Sequence, residues 1–215
     1  SAILLEIEKA SLMINKVNKE ITKIEKGLIL GNGDILTPIL MDEIQELISG
    51  IVPWNWNKLW NKGNGPSNPK LFLSELINRK QILKKWLIQI KDNTFWKLNI
   101  CVGNSFYPIT FLNAFKQYTA HKMKTTMDDL QFECVWDKNM IVDNVPVLNI
   151  DGLYIEGGLF DGQNIKTVSS KDNALSKVPI CYVYYRKVNN KSVNERGMIK
   201  IPVYYSLDRS YKVFD

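Results

Sequence analysis

The stretch "NICVGNSFYPITFLNAFKQYTAH", residues 99–121, decides how the middle of the chain folds. A short apolar run, a glycine and then Pro108 predict a strand, a turn and a helix, because proline is favoured at the first position of a helix. We expect this helix to bury one face, formed by Ile109, Leu112, Phe115 and Tyr118. The order of strand, turn and helix is typical of many phosphate-binding loops.

The details of this stretch argue against a phosphate site. Gly103 is followed by no second glycine, and Pro108 removes one of the backbone N–H groups that an anion would use. His121, the only histidine of the sequence, falls near the predicted end of the helix, where a positive charge is favoured for structural reasons. No nucleophile motif accompanies it. We therefore interpret the stretch as packing, with no catalytic residue.

Three helices are predicted upstream. The first carries an apolar stripe in steps of three and four residues, which is typical of a helix packed lengthwise on a partner. Its members are Ile3, Ile7, Ala10, Ile14, Val17, Ile21, Ile24 and Leu28. We expect Gly27 and the turn at residues 31–33 to end it. Thr37 and Pro38 are typical of a second helix start, and Gly50 of its end. A third helix follows, with Phe72, Leu76, Leu83, Trp86, Leu87 and Ile90 inward.

After about residue 131 the pattern changes to short β-branched and aromatic runs separated by Gly, Asn, Asp and Ser. The runs are "FECVWD" (132–137), "GLYIEGG" (152–158), "NIKTVSS" (164–170), "VPICYVYYRKV" (178–188), "MIKIPVYYSL" (198–207) and "YKVFD" (211–215). Thr126 and Asp129, just before them, are spaced like a capping box for one short helical turn. The sequence thus predicts an α+β fold. An α-helical subdomain spans residues 1–130, and a β-meander, closed or nearly closed into an antiparallel β-barrel, spans residues 131–215.

Charge and cysteine content limit the classes of function. Residues 58–97 hold nine Lys or Arg against Glu75 and Asp92, a local net charge of +7 within a protein of net charge +6. Interleaved aromatics make this region a candidate for binding an acidic polymer; they are Trp60, Phe72, Trp86, Phe95 and Trp96. Lys outnumbers Arg 24 to 4, however, and bidentate phosphate recognition favours Arg. The three cysteines are far apart and are expected to be buried thiols.

Neither a nucleotide nor a metal site is predicted. "PILMDEI" (38–44) resembles the apolar strand and Asp-Glu pair of P-loop ATPases, but the sequence contains no Gly-x-x-x-x-Gly-Lys loop, and Asp42 and Glu43 fall at a helix start. One histidine and scattered cysteines do not match a zinc site. We predict no catalytic, cofactor-binding or metal-binding residue in this chain. No apolar run approaches the roughly 20 residues of a membrane span, so a membrane is not an expected partner.

Five segments, in order, resemble those of one family, the C-terminal domain of dynein heavy chains, nearer the cytoplasmic than the axonemal type. They are "ELISGIVPWNW" (46–56), "FWKLNICVGNSFYPITFLNAFKQYTAHK" (95–122), "MDDLQFEC" (127–134), "DGLYIEGGLFDGQNI" (151–165) and "IPVYYSLDRSYKVFD" (201–215). The first matches a helix end followed by Gly-x-x-Pro-x-x-Trp, and the second a strand, Gly turn and Phe-x-Pro helix start. The resemblance covers essentially the whole chain. It departs from the family in the Asn- and Lys-rich loop at residues 57–68 and in "DKNMIVDNVPVLN" (137–149).

The resemblance implies an α+β domain with a helical part and an antiparallel, incomplete β-barrel. It implies that this domain is non-catalytic, packs on the AAA+ ring of its own heavy chain and modulates ATP-driven, minus-end-directed movement on microtubules. It implies that ATP and Mg²⁺ bind in upstream AAA+ modules, that microtubules and the dynein intermediate and light chains are partners of the parent protein, and that the site of action is the cytoplasm and cytoskeleton. The chain begins with Ser, which fits a fragment of a longer protein.

The long stripe of the first helix suggests where the ring is contacted. It exceeds the length that a second helix of about 13 residues could cover at 1.5 Å per residue. We therefore expect some of Ile3, Ile7, Ile14 and Val17 to face the ring and to be partly exposed in this chain. The alternative function is a free-standing module that binds RNA or another acidic partner through residues 58–97. Nucleic acid is otherwise not an expected partner.

Overall fold

A computed structural model describes residues 2–31, 36–60, 63–141, 144–162, 164–167, 175–188, 203–204 and 212–214. The chain folds as two compact units, Ser1–Leu87 and Ile88–Asp215. The change from helices to strands near residue 130 follows the predicted order, while the subdomain boundary at residues 130/131 stays a prediction.

The helices of the described part begin and end close to the predicted positions. They are α1 (Ala2–Leu30), α2 (Pro38–Ile48), α3 (Trp54–Asn57), α4 (Pro69–Lys91) and α5 (Pro108–Met123), with one-turn 3₁₀ helices at Phe95–Lys97, Val102–Asn104 and Lys138–Met140. At the start of α2, the Thr37 hydroxyl accepts a hydrogen bond from the Leu40 backbone N–H at 3.3 Å, so this residue is the N-cap as predicted. Gly50, with φ of 73°, follows the end of α2.

The prediction that Gly27 ends the first helix is wrong. Gly27 lies inside α1 and is buried, and a Cβ atom placed on it would come within 2.4 Å of Leu36 Cδ2. The glycine is therefore explained by the close approach of Leu36. Of the predicted turn at residues 31–33, Gly31 has φ of 59°, and residues 32 and 33 lie outside the described residues.

An aromatic core holds α3 and α4 together in the first unit. Trp56, Trp60 and Phe72 are almost completely buried, and the rings of Trp60 and Phe72 lie 5.0 Å apart. The Arg79 guanidinium stacks over Trp60 at 4.7 Å. α1 packs on α2 and α3. The sequence pattern does not reveal the short helix α3, because four residues are too few to show a helical period.

The inward face predicted for α4 is confirmed from Phe72 to Leu87, which is most of the helix. Phe72, Leu76, Leu83 and Trp86 are buried, and Leu87 is half-buried. Ile90 was predicted to point inward but is 41% exposed. It lies in the last turn, beside exposed Lys91, where less of the protein is left to cover the helix.

The second unit is built on a four-stranded sheet of order β1-β3-β8-β2, with further two-stranded ladders β4–β7, β5–β6 and β9–β10. The strands are β1 (Asn99–Cys101), β2 (Leu130–Val135), β3 (Val147–Asp151), β4 (Tyr154–Glu156), β5 (Gly158–Phe160), β6 (Ile165–Thr167), β7 (Leu175–Lys177), β8 (Cys181–Lys187), β9 (Val203–Tyr204) and β10 (Lys212–Phe214). The α+β class is confirmed, and the strands of the described residues form no closed barrel, in agreement with an incomplete one.

Two features of the sheet differ from the predicted meander. β1 pairs with β3 in parallel, and β8 lies between β3 and β2 although it follows both in the chain. Local sequence patterns specify strands but carry little information on which strands become neighbours. β1, at the start of the stretch 99–121, thus becomes an edge of the main sheet.

α5 begins at Pro108 as predicted, but the prediction of its buried face is wrong at both ends. Ile109 and Tyr118 are 38% and 37% exposed. The buried face is formed by Pro108, Phe111, Leu112, Phe115 and Thr119. These residues recur at three- and four-residue steps along the helix, so they form one buried face centred on Phe115. Ile109 and Tyr118 lie at the margins of that face.

Tyr185 of β8 joins α5 to the sheet. Its ring lies 5.5 Å from the ring of Phe115 and 5.4 Å from that of Phe132 in β2, and its hydroxyl donates to the Leu112 carbonyl at 3.5 Å. Burial raises the pKa of Tyr185 to about 12. On the opposite face of the same strands, the Glu133 carboxylate accepts a hydrogen bond from the Tyr184 hydroxyl at 2.6 Å and forms an ion pair with Arg186.

We expect Tyr185→Ala to destabilise the second unit by about 3–5 kcal/mol, because it removes a buried ring at the junction of helix and sheet. Tyr185→Phe keeps the ring and loses only the long hydrogen bond of 3.5 Å to the Leu112 carbonyl. We therefore expect it to lower the free energy of unfolding by less than about 1 kcal/mol. Urea unfolding followed by circular dichroism measures both values. Equal losses in the two variants would contradict the role given to the ring.

Candidate functional site

The Asp-Glu pair predicted at a helix start lies on α2 and not at the end of a strand. Asp42 is exposed, whereas Glu43 is only 2% exposed. Side chains of neighbouring residues on a helix diverge, so the pair does not converge on one ligand. Glu43 instead takes part in a polar cleft within the first unit, which sequence reasoning missed.

The cleft has a volume of about 460 Å³ and lies between α1, the first turns of α2, and α3. Its polar lining consists mainly of Lys16, Glu20 and Lys23 of α1, Glu43 of α2 and Asn55 of α3. The three residues of α1 recur at steps of four and three, which puts them on one face of that helix. Asn55 lies in the chain between Pro53 and Trp56. Both of these residues are buried, and they hold Asn55 in place.

Glu43 is the most deeply buried acid of the cleft. Its Oε1 accepts a hydrogen bond from the Asn55 side-chain amide at 2.9 Å, while its Oε2 is buried and has no hydrogen-bond partner among the described residues. Burial raises the pKa of Glu43, the bond from Asn55 opposes this effect, and the negative charge of Glu20 adds to it. The carboxylate is therefore held in a position that disfavours its charged form.

A single ammonium group lies close to the two acids. Lys16 Nζ is 3.9 Å from Glu20 Oε1 and donates to the Asn55 backbone carbonyl at 3.2 Å. Glu20 Oε2 is also buried without a hydrogen-bond partner in the described part of the protein. Lys23, the other cation of the lining, is exposed at the rim. The interior of the cleft thus holds two carboxylates and one ammonium.

The four residues of α1 proposed to contact a partner differ in burial. Ile3 and Val17 are 3% and 1% exposed, and Ile7 and Ile14 are half-buried. Leu12, on another side of α1, is 68% exposed. Whether any of the four contacts another part of a protein stays a prediction.

His121 is exposed in the last turn of α5, beside an open cleft in the second unit that also contains Lys124, Asp129 and Lys187. Hydroxyl bonds from Thr126, at 2.9 Å, and from Thr125 hold the pKa of the exposed Asp129 below its usual value. The predicted short helical turn at Thr126 is wrong. The bond from Thr126 to Asp129 forms in a turn, which directly precedes β2.

The basic region at residues 58–97 does not present its aromatic rings. Trp60, Phe72, Trp86 and Phe95 are buried, and Trp96 is half-buried. Lysines such as Lys70, Lys84 and Lys85 are exposed. The region therefore offers charge without the stacking surface that single-stranded nucleic acid uses.

The three cysteines are free thiols, of which Cys181 is buried and Cys101 and Cys134 are half-buried. Among the described residues, no three His, Cys, Asp or Glu side chains are grouped as a metal site would require. In that same part of the protein, no helix combines the length and the apolar character needed to cross a membrane.

We expect Glu43→Gln to stabilise the protein by about 1–3 kcal/mol at pH 7, because it removes a buried charge with an unpaired oxygen while keeping an acceptor for Asn55. The pKa of Glu43 is raised in the folded state, so the unfolded protein releases this proton first as the pH rises, and the wild type loses stability from about pH 4.5 upward. The difference between the two proteins should vanish below that pH.

Urea unfolding between pH 3.5 and 7.5 measures this difference. Glu25→Gln, at an exposed position of helix α1, is the matched control and should change stability by less than about 0.5 kcal/mol. A Glu43→Gln variant less stable than wild type at pH 7 would show that the carboxylate is fully paired.

Comparison with known proteins gives a consistent result. Residues 1–213 match the model of the family described as the C-terminal domain of the dynein heavy chain. The cytoplasmic dynein 2 heavy chain 1 of Tripneustes gratilla is 32% identical over 178 residues, which cover 80% of this chain and 4% of that protein. The protein of the same name from Mus musculus is 27% identical over 214 residues, covering 97% of this chain and 5% of the relative.

A more distant relative is the cytoplasmic dynein heavy chain of Paramecium tetraurelia, 26% identical over 210 residues, or 97% of this chain and 4% of that protein. The 215 residues thus span only a small part of the length of the relatives that they match. Since the family model covers the helices and nearly all of the strand-rich part, we conclude that this protein belongs to the family of C-terminal domains of dynein heavy chains.

Proposed function

We propose that this protein acts as a non-catalytic regulatory domain of a cytoplasmic-type dynein heavy chain. In this proposal it packs on the AAA+ ring of its own heavy chain and modulates ATP-driven, minus-end-directed movement along microtubules. The observation that carries the proposal is the family match over residues 1–213, with relatives named as cytoplasmic dynein heavy chains. Because the matched residues amount to only 4–5% of those relatives, the motor machinery is assigned to the remainder of the parent protein.

The partners of the domain follow from this assignment. Its direct partner is the upstream AAA+ ring, and the parent protein supplies contacts with microtubules and with the dynein intermediate and light chains, in the cytoplasm and cytoskeleton. Ile7 and Ile14 are the best candidates for the ring contact on α1. Of the four residues in question, they alone retain accessible surface, whereas Ile3 and Val17 are already buried.

The alternative of a free-standing binding module for RNA is less well supported. Its five aromatic side chains are buried or half-buried, which leaves charge alone as a source of affinity. Binding by charge alone is weak and falls steeply with salt.

We predict that the 215-residue protein does not bind ATP. The sequence has no phosphate-cradling Gly-rich loop with its lysine, and Asp42 and Glu43 diverge on a helix. Titration of a fluorescent ATP analogue with and without magnesium tests this. Saturable micromolar binding that is lost on chelation of magnesium would contradict it.

We expect replacement of both Ile7 and Ile14 by Asp to alter velocity or run length of the full-length motor several-fold while basal ATPase activity stays within about twofold. Two charges would enter an apolar contact, but no catalytic group would change. Leu12→Asp, on the exposed side of α1, is the control and should leave both quantities unchanged.

Single-molecule motility and steady-state ATPase assays measure the two effects. The melting temperature of the isolated double variant decides between two explanations. A collapse of that melt would show that Ile7 and Ile14 pack inside the domain, and would contradict their role as ring contacts.

A further inference from the structure

Cys134 and Cys181 lie on neighbouring strands of the four-stranded sheet and on the same face of it. In the register of β2 and β8, Cys134 is opposite Val183, and Cys181 is two positions away from Val183 along β8. Residues two apart on a strand share a face, as do residues opposite each other on paired strands. The two thiols are therefore diagonal neighbours, and the thiol of Cys181 donates a hydrogen bond to the sulfur of Cys134.

The two thiols differ in accessibility. Cys181 is 0% exposed, whereas Cys134 is half-buried on β2, an edge strand of the sheet. A small molecule in solution thus reaches only Cys134 of the pair.

The third cysteine, Cys101, is also half-buried but lies on the other face of the sheet. Cys101 is paired with Asp151 of β3, and the preceding residue of that strand, Ile150, is paired with Cys181. Successive residues of a strand point to opposite faces, so the sheet separates Cys101 from the other two thiols. Cys101 is therefore an internal reference for a thiol of similar exposure outside the pair.

The contact makes Cys134 the easier of the two thiols to ionise. The hydrogen bond from Cys181 holds the pKa of Cys134 below its usual value, against the opposing effect of burial. The same bond, together with burial, raises the pKa of Cys181. The pair thus releases a proton from Cys134 and keeps the other on Cys181. The thiolate is the form of cysteine that reacts with oxidants, so the accessible member of the pair is also the reactive one.

We propose that Cys134 is a site of reversible oxidation by hydrogen peroxide, with Cys181 as the thiol that resolves the product to a disulfide. The Cys134 thiolate attacks one peroxide oxygen, so that an S–O bond forms, the O–O bond breaks and the released hydroxide takes up a proton to become water. The sulfur is oxidised to a sulfenic acid and the peroxide is reduced. The sulfur of Cys181 then attacks the sulfenic sulfur. An S–S bond forms, the S–O bond breaks, and the thiol proton leaves with the hydroxide as a second water.

The register predicts a strained bridge. Diagonal neighbours on paired strands have Cα atoms about 7–8 Å apart, just beyond the range of about 4.4–6.8 Å that is usual in disulfides. Closure therefore requires a small movement of β2 relative to β8. Among the described strands β2 is paired with β8 alone, so this movement disturbs no other pairing. Strained disulfides are reduced readily, which is the property of a reversible modification and not of a structural bond.

The first test treats the reduced protein with hydrogen peroxide at pH 7 and maps its proteolytic peptides, without reduction, by mass spectrometry. We expect a bridge between Cys134 and Cys181, with Cys101 oxidised at least about tenfold more slowly than Cys134. Reduced glutathione should reopen the bridge. Oxidation of Cys101 at the rate of Cys134, sulfinic acid at Cys134 without a bridge, or a bridge that glutathione does not reduce would each overturn the proposal.

Two substitutions at Cys181 separate its role as a hydrogen-bond donor from its role as a nucleophile. Cys181→Ser keeps a donor but has no sulfur, so Cys134 should react at a rate within about threefold of the wild type and stop at a sulfenic acid that dimedone traps. Cys181→Val removes the donor as well, and Cys134 should then react at least about tenfold more slowly. A wild-type rate in the valine variant would overturn the role given to the contact.

Substitutions of the other two cysteines complete the set. Cys101→Ser is the matched control and should leave both the bridge and its rate of formation unchanged. Cys134→Ser should leave Cys181 unoxidised, because the latter is 0% exposed. Oxidation of Cys181 at the wild-type rate in that variant would overturn the order of the two steps. Circular dichroism verifies that each variant is folded, and the comparison of Cys134 with Cys101 in the wild type decides the matter where a variant is not.

Discussion

The position of β8 between β2 and β3 is the constraint on which the second unit depends. Its backbone pairs with β2 on one side and with β3 on the other. The paired residues run from Leu130↔Lys187 to Val135↔Tyr182 along β2, and from Val147↔Tyr184 to Ile150↔Cys181 along β3. A central strand has its backbone donors and acceptors paired at both edges, so it holds the two neighbouring strands in one sheet. On one face Tyr185 packs against α5, and on the other Glu133 is satisfied by Tyr184 and Arg186. Loss of β8 would separate the sheet into its parts and leave the buried face of α5 uncovered.

The first unit depends on aromatic burial in a comparable way, and this burial also shapes its cleft. Trp56 is 1% exposed and anchors a helix of only four residues, which by itself would not form a stable helix. Asn55 precedes Trp56 in that helix and is thereby brought beside Glu43. The segment "GIVPWNW" (50–56), which in the sequence is only a family motif, thus has a physical role: its buried Pro53 and Trp56 hold the amide that orients a buried acid.

Much of the fold could be predicted from local patterns, and the cleft could not. Thr37, Pro38, Gly50 and Pro108 mark helix ends by backbone chemistry that acts within a few residues, so these boundaries are predictable. The parallel pairing of β1 with β3 joins residues about 50 positions apart, which no local period encodes. In the sequence, Glu43 stands beside Asp42 as one half of a nucleotide-like motif. Its real neighbours, Glu20 and Asn55, lie 23 and 12 positions away and become visible only in three dimensions.

The burial of Glu43 links the stability of the first unit to the packing of three of its helices. Its buried oxygen without a hydrogen-bond partner among the described residues opposes folding at neutral pH, so this acid lowers the stability that the aromatic core supplies. Burial raises the pKa of Glu43, the bond from Asn55 opposes that effect, the charge of Glu20 adds to it and the charge of Lys16 opposes it. These groups lie on α1 and α3 while Glu43 lies on α2, so the protonation of this one carboxyl group depends on how the three helices pack.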